Sequence, residues 1–211
     1  MKTAKRKFRK LGVIGRFKPL HNGAYSMLET LCENTEQLIV GIGSSNKYNL
    51  RNPFTPEESE AMINSALADR FSNYKIVHVP DFAHIPKYAD GKKWRNFVIE
   101  KFGDLDAFVT SNEYIRNLLG ERYEIVHPTI LIPKEKQIKL RATEVRFRIA
   151  SYNDSWKDLV PKKVADYLEK EKLVDRFRED FGLQTMAYIA SGHNFDFTEK
   201  AEAEMLHAQE V

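Results

Sequence analysis

Five short apolar runs, most of them separated by stretches with helical spacing, constrain this chain more than any other feature. "KLGVIG" ending at Gly15, "EQLIVGIG" from Glu36 to Gly43, "YKIVHVPD", "LDAFVTS" and "YEIVHPTILIP" read as buried strands. Pro128 is expected to bend or interrupt the fifth. Between the first two, Ala24, Leu28, Leu31 and Cys32 fall on one helical face, with Asn22 as the expected cap. In "FTPEESEAMINSALADRF", Thr55 stands at an N-cap, Pro56 at the first helical position and Glu58 in capping-box position. Further helices are expected from Lys92 to Gly103, from Ala142 to Ser151 and from Pro161 to Glu171. Alternation of this kind predicts an α/β fold with a Rossmann-like, doubly wound parallel sheet, which binds ligands at the carboxyl ends of its strands.

The organisation expected from 211 residues is one domain, over about residues 11–172, with a basic tail at 1–10 and a C-terminal helical extension at 173–211. The net charge of +3 conceals an asymmetry: the first ten residues carry six Lys or Arg and no acid, so the rest of the chain is slightly acidic at −3. A basic excess confined to a tail argues against a nucleic-acid partner; a tail contact would instead show as steeply salt-dependent binding. No apolar run is long enough to span a bilayer, and no secretory pattern follows the basic start, so a cytoplasmic protein without membrane attachment is expected. The single cysteine, Cys32, reads as helix core. His78, His84, His127, His193 and His207 lack metal-ligand spacing, and no protein metal site is expected.

The chemistry concentrates in "GRFKPLHNGAY", Gly15 to Tyr25. It begins where the first strand ends and leads into the first helix, so backbone N–H groups and a positive helix terminus face any bound anion, with Arg16, Lys18 and His21 as side-chain donors.

This segment resembles the N-terminal signature of the His-x-Gly-His nucleotidyltransferases, in the form found in archaeal-type nicotinamide-nucleotide adenylyltransferases. Five further blocks are similar in order: "GIGSSNKYNLRNPFTPEE", "VPDF", "KKWRNFV", "TSNEYIRNLL" and "RATEVR". The resemblance implies adenylyl transfer from ATP to nicotinamide mononucleotide (NMN), giving NAD and pyrophosphate with Mg2+, in a homo-oligomer. It implies that His21, Arg16 and Arg146 carry the reaction. Gly15, Phe17, Lys18, Gly23, Asn112, Arg141 and Thr143 would join them in binding the nucleotide, and Asp81 and Trp94 would lie near the nicotinamide. Two positions depart from the pattern: Ala24 replaces the second histidine, and Arg141 stands where the family has a small hydroxyl residue. Arg141, with Lys18 or Lys139, would restore the lost charge. The rival readings are a related enzyme with another phosphate-bearing acceptor, such as a phosphopantetheine, flavin or alcohol phosphate, and a catalytically weakened nucleotide sensor.

Overall fold

The computed structural model describes residues 7–191. Its centre is a five-stranded sheet formed by β1 (Phe8–Gly15), β2 (Thr35–Gly43), β3 (Tyr74–Val79), β4 (Ala107–Val109) and β5 (Ile125–Val126). The spatial order is β3-β2-β1-β4-β5 and every pairing is parallel. The register brings Gly15 beside Ile42, Gly43 beside Val79 and Val13 beside Val109, so the carboxyl ends of four strands share one edge. Strand order reverses between β1 and β4, which opens a crevice there for a ligand.

Local signals account for much of this. α1 (Asn22–Asn34) buries Leu28, Leu31 and Cys32. α2 (Pro56–Leu67) starts at a complete capping box, in which the Thr55 hydroxyl accepts from the Glu58 N–H at 3.2 Å and Glu58 Oε2 accepts from the Thr55 N–H at 2.9 Å. α3 (Lys92–Phe102) covers the other face with Val98 and Phe102, beside α4 (Glu113–Leu119). The fifth strand is shorter than its apolar run. Pro128 cannot donate to a ladder but suits a first helical turn, and it opens α5 (Pro128–Leu131).

Both expected boundaries shift. The first strand begins at Phe8, so residues 8–10 belong to the central sheet, and the Arg9 and Lys10 N–H groups donate to Asp106 Oδ2 at 2.6 and 3.1 Å. At the other end, α6 (Ala142–Ala150) and α7 (Lys162–Lys170) are followed by α8 (Leu173–Phe177), a π-helical turn over residues 178–182 and α9 (Leu183–Ala190). Leu173, Val174, Phe177 and Phe181 are buried in the same core as β1 and β2. Residues 173–181 therefore pack into the domain core: removing them would delete four large buried side chains, each worth roughly 1.5–3 kcal/mol of burial, and uncover the apolar surface they cover. The helix-prone acidic stretch 197–211, with His193 and His207, lies outside the described residues, as do residues 1–6 of the basic tail.

Candidate active site

The loop between β1 and α1 is fixed from both ends. Phe17 adopts a left-handed backbone at φ +54° and buries its ring against Gly15, where a Cβ would stand 2.7 Å from the ring. Gly23, on the first turn of α1, faces the Ile138 carbonyl, and a Cβ there would stand 2.7 Å from that oxygen. No side chain fits between this helix terminus and residue 138 without a backbone shift.

His21, rather than Asn22, caps α1: its Nδ1 accepts from the Ala24 N–H at 3.2 Å. Burial, then the nearby Arg146 guanidinium, lowers the imidazole pKa to about 4. The ring is therefore neutral at pH 7. With Nδ1 accepting, its proton resides on Nε2, which becomes an uncharged donor. Asn22 turns aside and donates to the Asp158 carbonyl at 2.9 Å.

α6 brings the second group of residues. Arg146 donates from Nη1 to the Lys18 carbonyl at 2.9 Å and from Nη2 to the Thr143 hydroxyl at 3.3 Å. Residues 128 positions apart in sequence thus meet at the phosphate loop. Arg141 is the N-cap residue of α6, and its side chain makes no cap bond.

Lys18 stands differently from the expectation that it contacts phosphate. Its side chain is completely buried, and its ammonium donates to the Ser44 carbonyl at 3.3 Å and to Asn52 Oδ1 at 3.4 Å, beneath the loop. Burial, assisted by Arg16, lowers its pKa to about 8 against the opposing attraction of Glu57 and Glu58.

The remaining residues sit at neighbouring strand ends. Asn112 follows β4 and caps α4, its Oδ1 accepting from the Ile115 N–H at 2.9 Å. Asp81 follows β3; its backbone pairs reciprocally with the Asn46 amide at 2.7 and 2.9 Å, and its Oδ1 accepts from the Ala83 N–H. Trp94 lies in the first turn of α3, partly buried against the Val98 and Phe102 core. Its neighbour Lys93 lies over the Phe82 and Tyr88 rings at 4.4 and 4.1 Å from their centroids. Sequence reading omitted this aromatic and cationic group, although Phe82, Tyr88 and Lys93 flank Asp81 and Trp94 in the chain. It also omitted Arg176, on α8, which makes a bidentate pair with Glu58 at 2.5 and 2.7 Å and reaches the Pro53 carbonyl. Among the described residues no cluster of three or more His, Cys, Asp or Glu side chains could hold a metal ion.

Residues 13–188 match the cytidylyltransferase-like family, spanning both the His21 loop and the Arg146 helix. The chain belongs to that family. Curated relatives are similar over most of their length: the nicotinamide-nucleotide adenylyltransferase of Thermococcus sibiricus is 33% identical over 170 residues, covering 78% of this chain and 86% of the relative. That of Pyrococcus furiosus is 32% identical over 171 residues, covering 78% and 85%. A solved bifunctional NMN adenylyltransferase/ADP ribose pyrophosphatase from Francisella tularensis, complexed with AMP and a manganese ion, superposes with a TM-score of 0.61 at 19% identity. That match covers 89% of this chain and 57% of the longer structure, and it is a likeness of fold.

Proposed function

We propose that this protein is a nicotinamide-nucleotide adenylyltransferase, which joins the adenylyl group of ATP to NMN and releases pyrophosphate. The observation that carries this reading is the Arg146 to Lys18 carbonyl bond, which draws two cationic segments from opposite ends of the domain onto one strand edge. The choice of NMN rests on the curated relatives, whose names specify it.

The reaction needs no protein nucleophile. A phosphate oxygen of NMN attacks the α-phosphorus of ATP, a new P–O bond forms, and the α–β anhydride bond breaks with its electron pair leaving on pyrophosphate. Catalysis then consists of alignment and charge stabilisation. In this reading the Nε2–H of His21 and the guanidinium groups of Arg16 and Arg146 receive the triphosphate. Gly15, Phe17 and Gly23 shape the loop around it, and Thr143 aims Arg146. Arg141 and Asn112 complete the nucleotide contacts, while Asp81 and Trp94 receive the nicotinamide, whose flat cationic ring suits an indole face. The protein's donors here are cationic or neutral N–H groups, which suits a divalent ion arriving on the triphosphate; Mg2+ bound there would neutralise charge between phosphates. A cytoplasmic location and self-association belong to the same reading. No described helix is long and apolar enough to cross a membrane.

The direct test incubates pure protein with Mg2+, ATP and NMN, and follows NAD and pyrophosphate beside an Ala24→His variant. Turnover by the natural sequence is expected. Turnover by the variant alone would replace this reading with that of a nucleotide sensor, and turnover by neither would overturn it.

A further inference from the structure

Lys18 is the one charged side chain in the described core that the proposed chemistry does not use. Its surroundings are unusual for an ammonium: the two hydrogen bonds are long, both acceptors are neutral, and the side chain is completely buried. A buried cation held in this way is under-compensated, because its desolvation cost is not met by an ion pair or by short bonds.

The residue is also a junction. Its backbone carbonyl receives Arg146 from α6, and its chain neighbours Arg16 and Phe17 form the phosphate loop. Its ammonium holds Ser44 and Asn52, the two ends of the loop that follows β2. That loop is stiff. Asn52 is braced by four bonds with Asn49, the Ser45 N–H donates to the Val79 carbonyl at the end of β3, and Asn46 pairs with the backbone of Asp81. A path of bonds and adjacent residues therefore runs from the β1–α1 loop through Lys18 to Asp81.

We propose that Lys18 is a positioning residue that couples the two halves of the site: triphosphate on the loop above stabilises the buried ammonium, which tightens its hold on Ser44 and Asn52 and sets the acceptor loop for NMN. The inference rests on the adenylyltransferase reading. The charged groups facing the ammonium are Arg16 on its own loop, which opposes its charge, and Glu57 and Glu58 on α2, which favour it. Arg146 from α6 binds the Lys18 carbonyl, and Arg176 from α8 engages Glu58. In the free protein Lys18 loses its proton near pH 8. An anion placed close by raises that value, so triphosphate binding at pH 8.5 takes up a proton. ATP itself is already deprotonated there, and His21, with a pKa near 4, does not titrate.

The test is calorimetric titration of the full chain at pH 8.5 with Mg2+ and a non-hydrolysable ATP analogue, in two buffers of different ionisation enthalpy, followed by NMN. The natural protein is expected to take up a proton with the analogue and then to bind NMN about tenfold more tightly than without it. Lys18→Met abolishes both effects. Lys18→Gln leaves an uncharged N–H donor at this position and takes up no proton. Asn52→Leu keeps the proton uptake and loses the NMN enhancement. By reciprocity Lys18→Met weakens the analogue about tenfold for the NMN-saturated protein and leaves its affinity for the NMN-free protein within about threefold, a split that a general loss of structure does not produce. Proton uptake unchanged in Lys18→Met, or NMN enhancement retained by Lys18→Met or Lys18→Gln, overturns the proposal. A natural protein that binds the analogue but not NMN at any concentration overturns the acceptor assignment instead, and the coupling with it.

Discussion

The half of the proposed site assigned to phosphate is braced by partners distant in sequence, whereas the half assigned to the acceptor is mostly made of neighbours. Arg146 reaches back 128 positions to Lys18, Asn22 reaches forward 136 positions to Asp158, and Arg176 reaches back 118 positions to Glu58 at the base of the adjoining loop. Around Asp81 and Trp94 the contacts are short-range and more exposed. Asp81 binds the Ala83 N–H, and Lys93 covers Phe82 and Tyr88 from within the same segment; the Asn46 pair and part of the core behind Trp94 come from elsewhere. The first half holds charge in fixed geometry, which is what transition-state stabilisation requires. The second is held by fewer hydrogen bonds between segments distant in sequence.

The largest expected effect breaks the first half. Arg146→Ala removes both a phosphate donor and the bond to the Lys18 carbonyl, and kcat/KM should fall about 10²–10³-fold, as when one preorganised donor is lost. A fall of less than about tenfold in initial-rate measurements would show that α6 does not serve the triphosphate.

Acid should strike the same half. The folded pKa of His21 lies below its ordinary value, at about 4 against 6.5. Between these values the unfolded chain binds a proton that the folded one does not, so the contribution of His21 is complete above pH 6.5 and is lost as pH falls toward 4. It amounts to roughly 3 kcal/mol at most. Urea titrations at pH 7 and pH 4.5 on the natural protein and on His21→Asn check this, with the variant expected to lose less stability on acidification.

Arg176→Met tests whether bracing reaches the site from the C-terminal helix. It leaves Glu58, largely buried, without its guanidinium, at a cost of about 2 kcal/mol after allowing for partial exposure of the pair. Thermal unfolding measures that loss, and Arg176→Met with Glu58→Gln together should recover part of it. The smallest effect belongs to the acceptor half: Trp94→Ala should raise the KM for NMN about tenfold, or ~1.4 kcal/mol, with the KM for ATP and the melting temperature nearly unchanged. An equal rise in both KM values would erase the distinction between the halves.

What the sequence made legible follows the same division between near and far. The capping box at Thr55 and Glu58 is a signal four residues long, and it was readable because both partners lie inside it. The parallel sheet was readable because each buried strand is an apolar run of its own. The cap of α1 was misassigned to Asn22 because asparagine is the commoner cap; an imidazole Nδ1 performs the same acceptance, and only tertiary placement chose between them. Burial of Lys18 has no local mark, since the residues that enclose it are dozens of positions away. The core role of α8 did have one. Leu173, Val174, Phe177 and Phe181 recur at helical spacing, and the pattern was obscured by treating the segment as an appendage.

The start of β1 at Phe8 has a practical consequence for separating the basic segment from the catalytic domain. Cutting after residue 10 to test the tail as a partner contact would remove three residues of the central strand and the backbone donors that Asp106 receives. A loss of binding in that shortened protein would report a damaged sheet. Cutting after residue 6 spares every rung, and any salt-dependent binding lost there belongs to the basic residues alone.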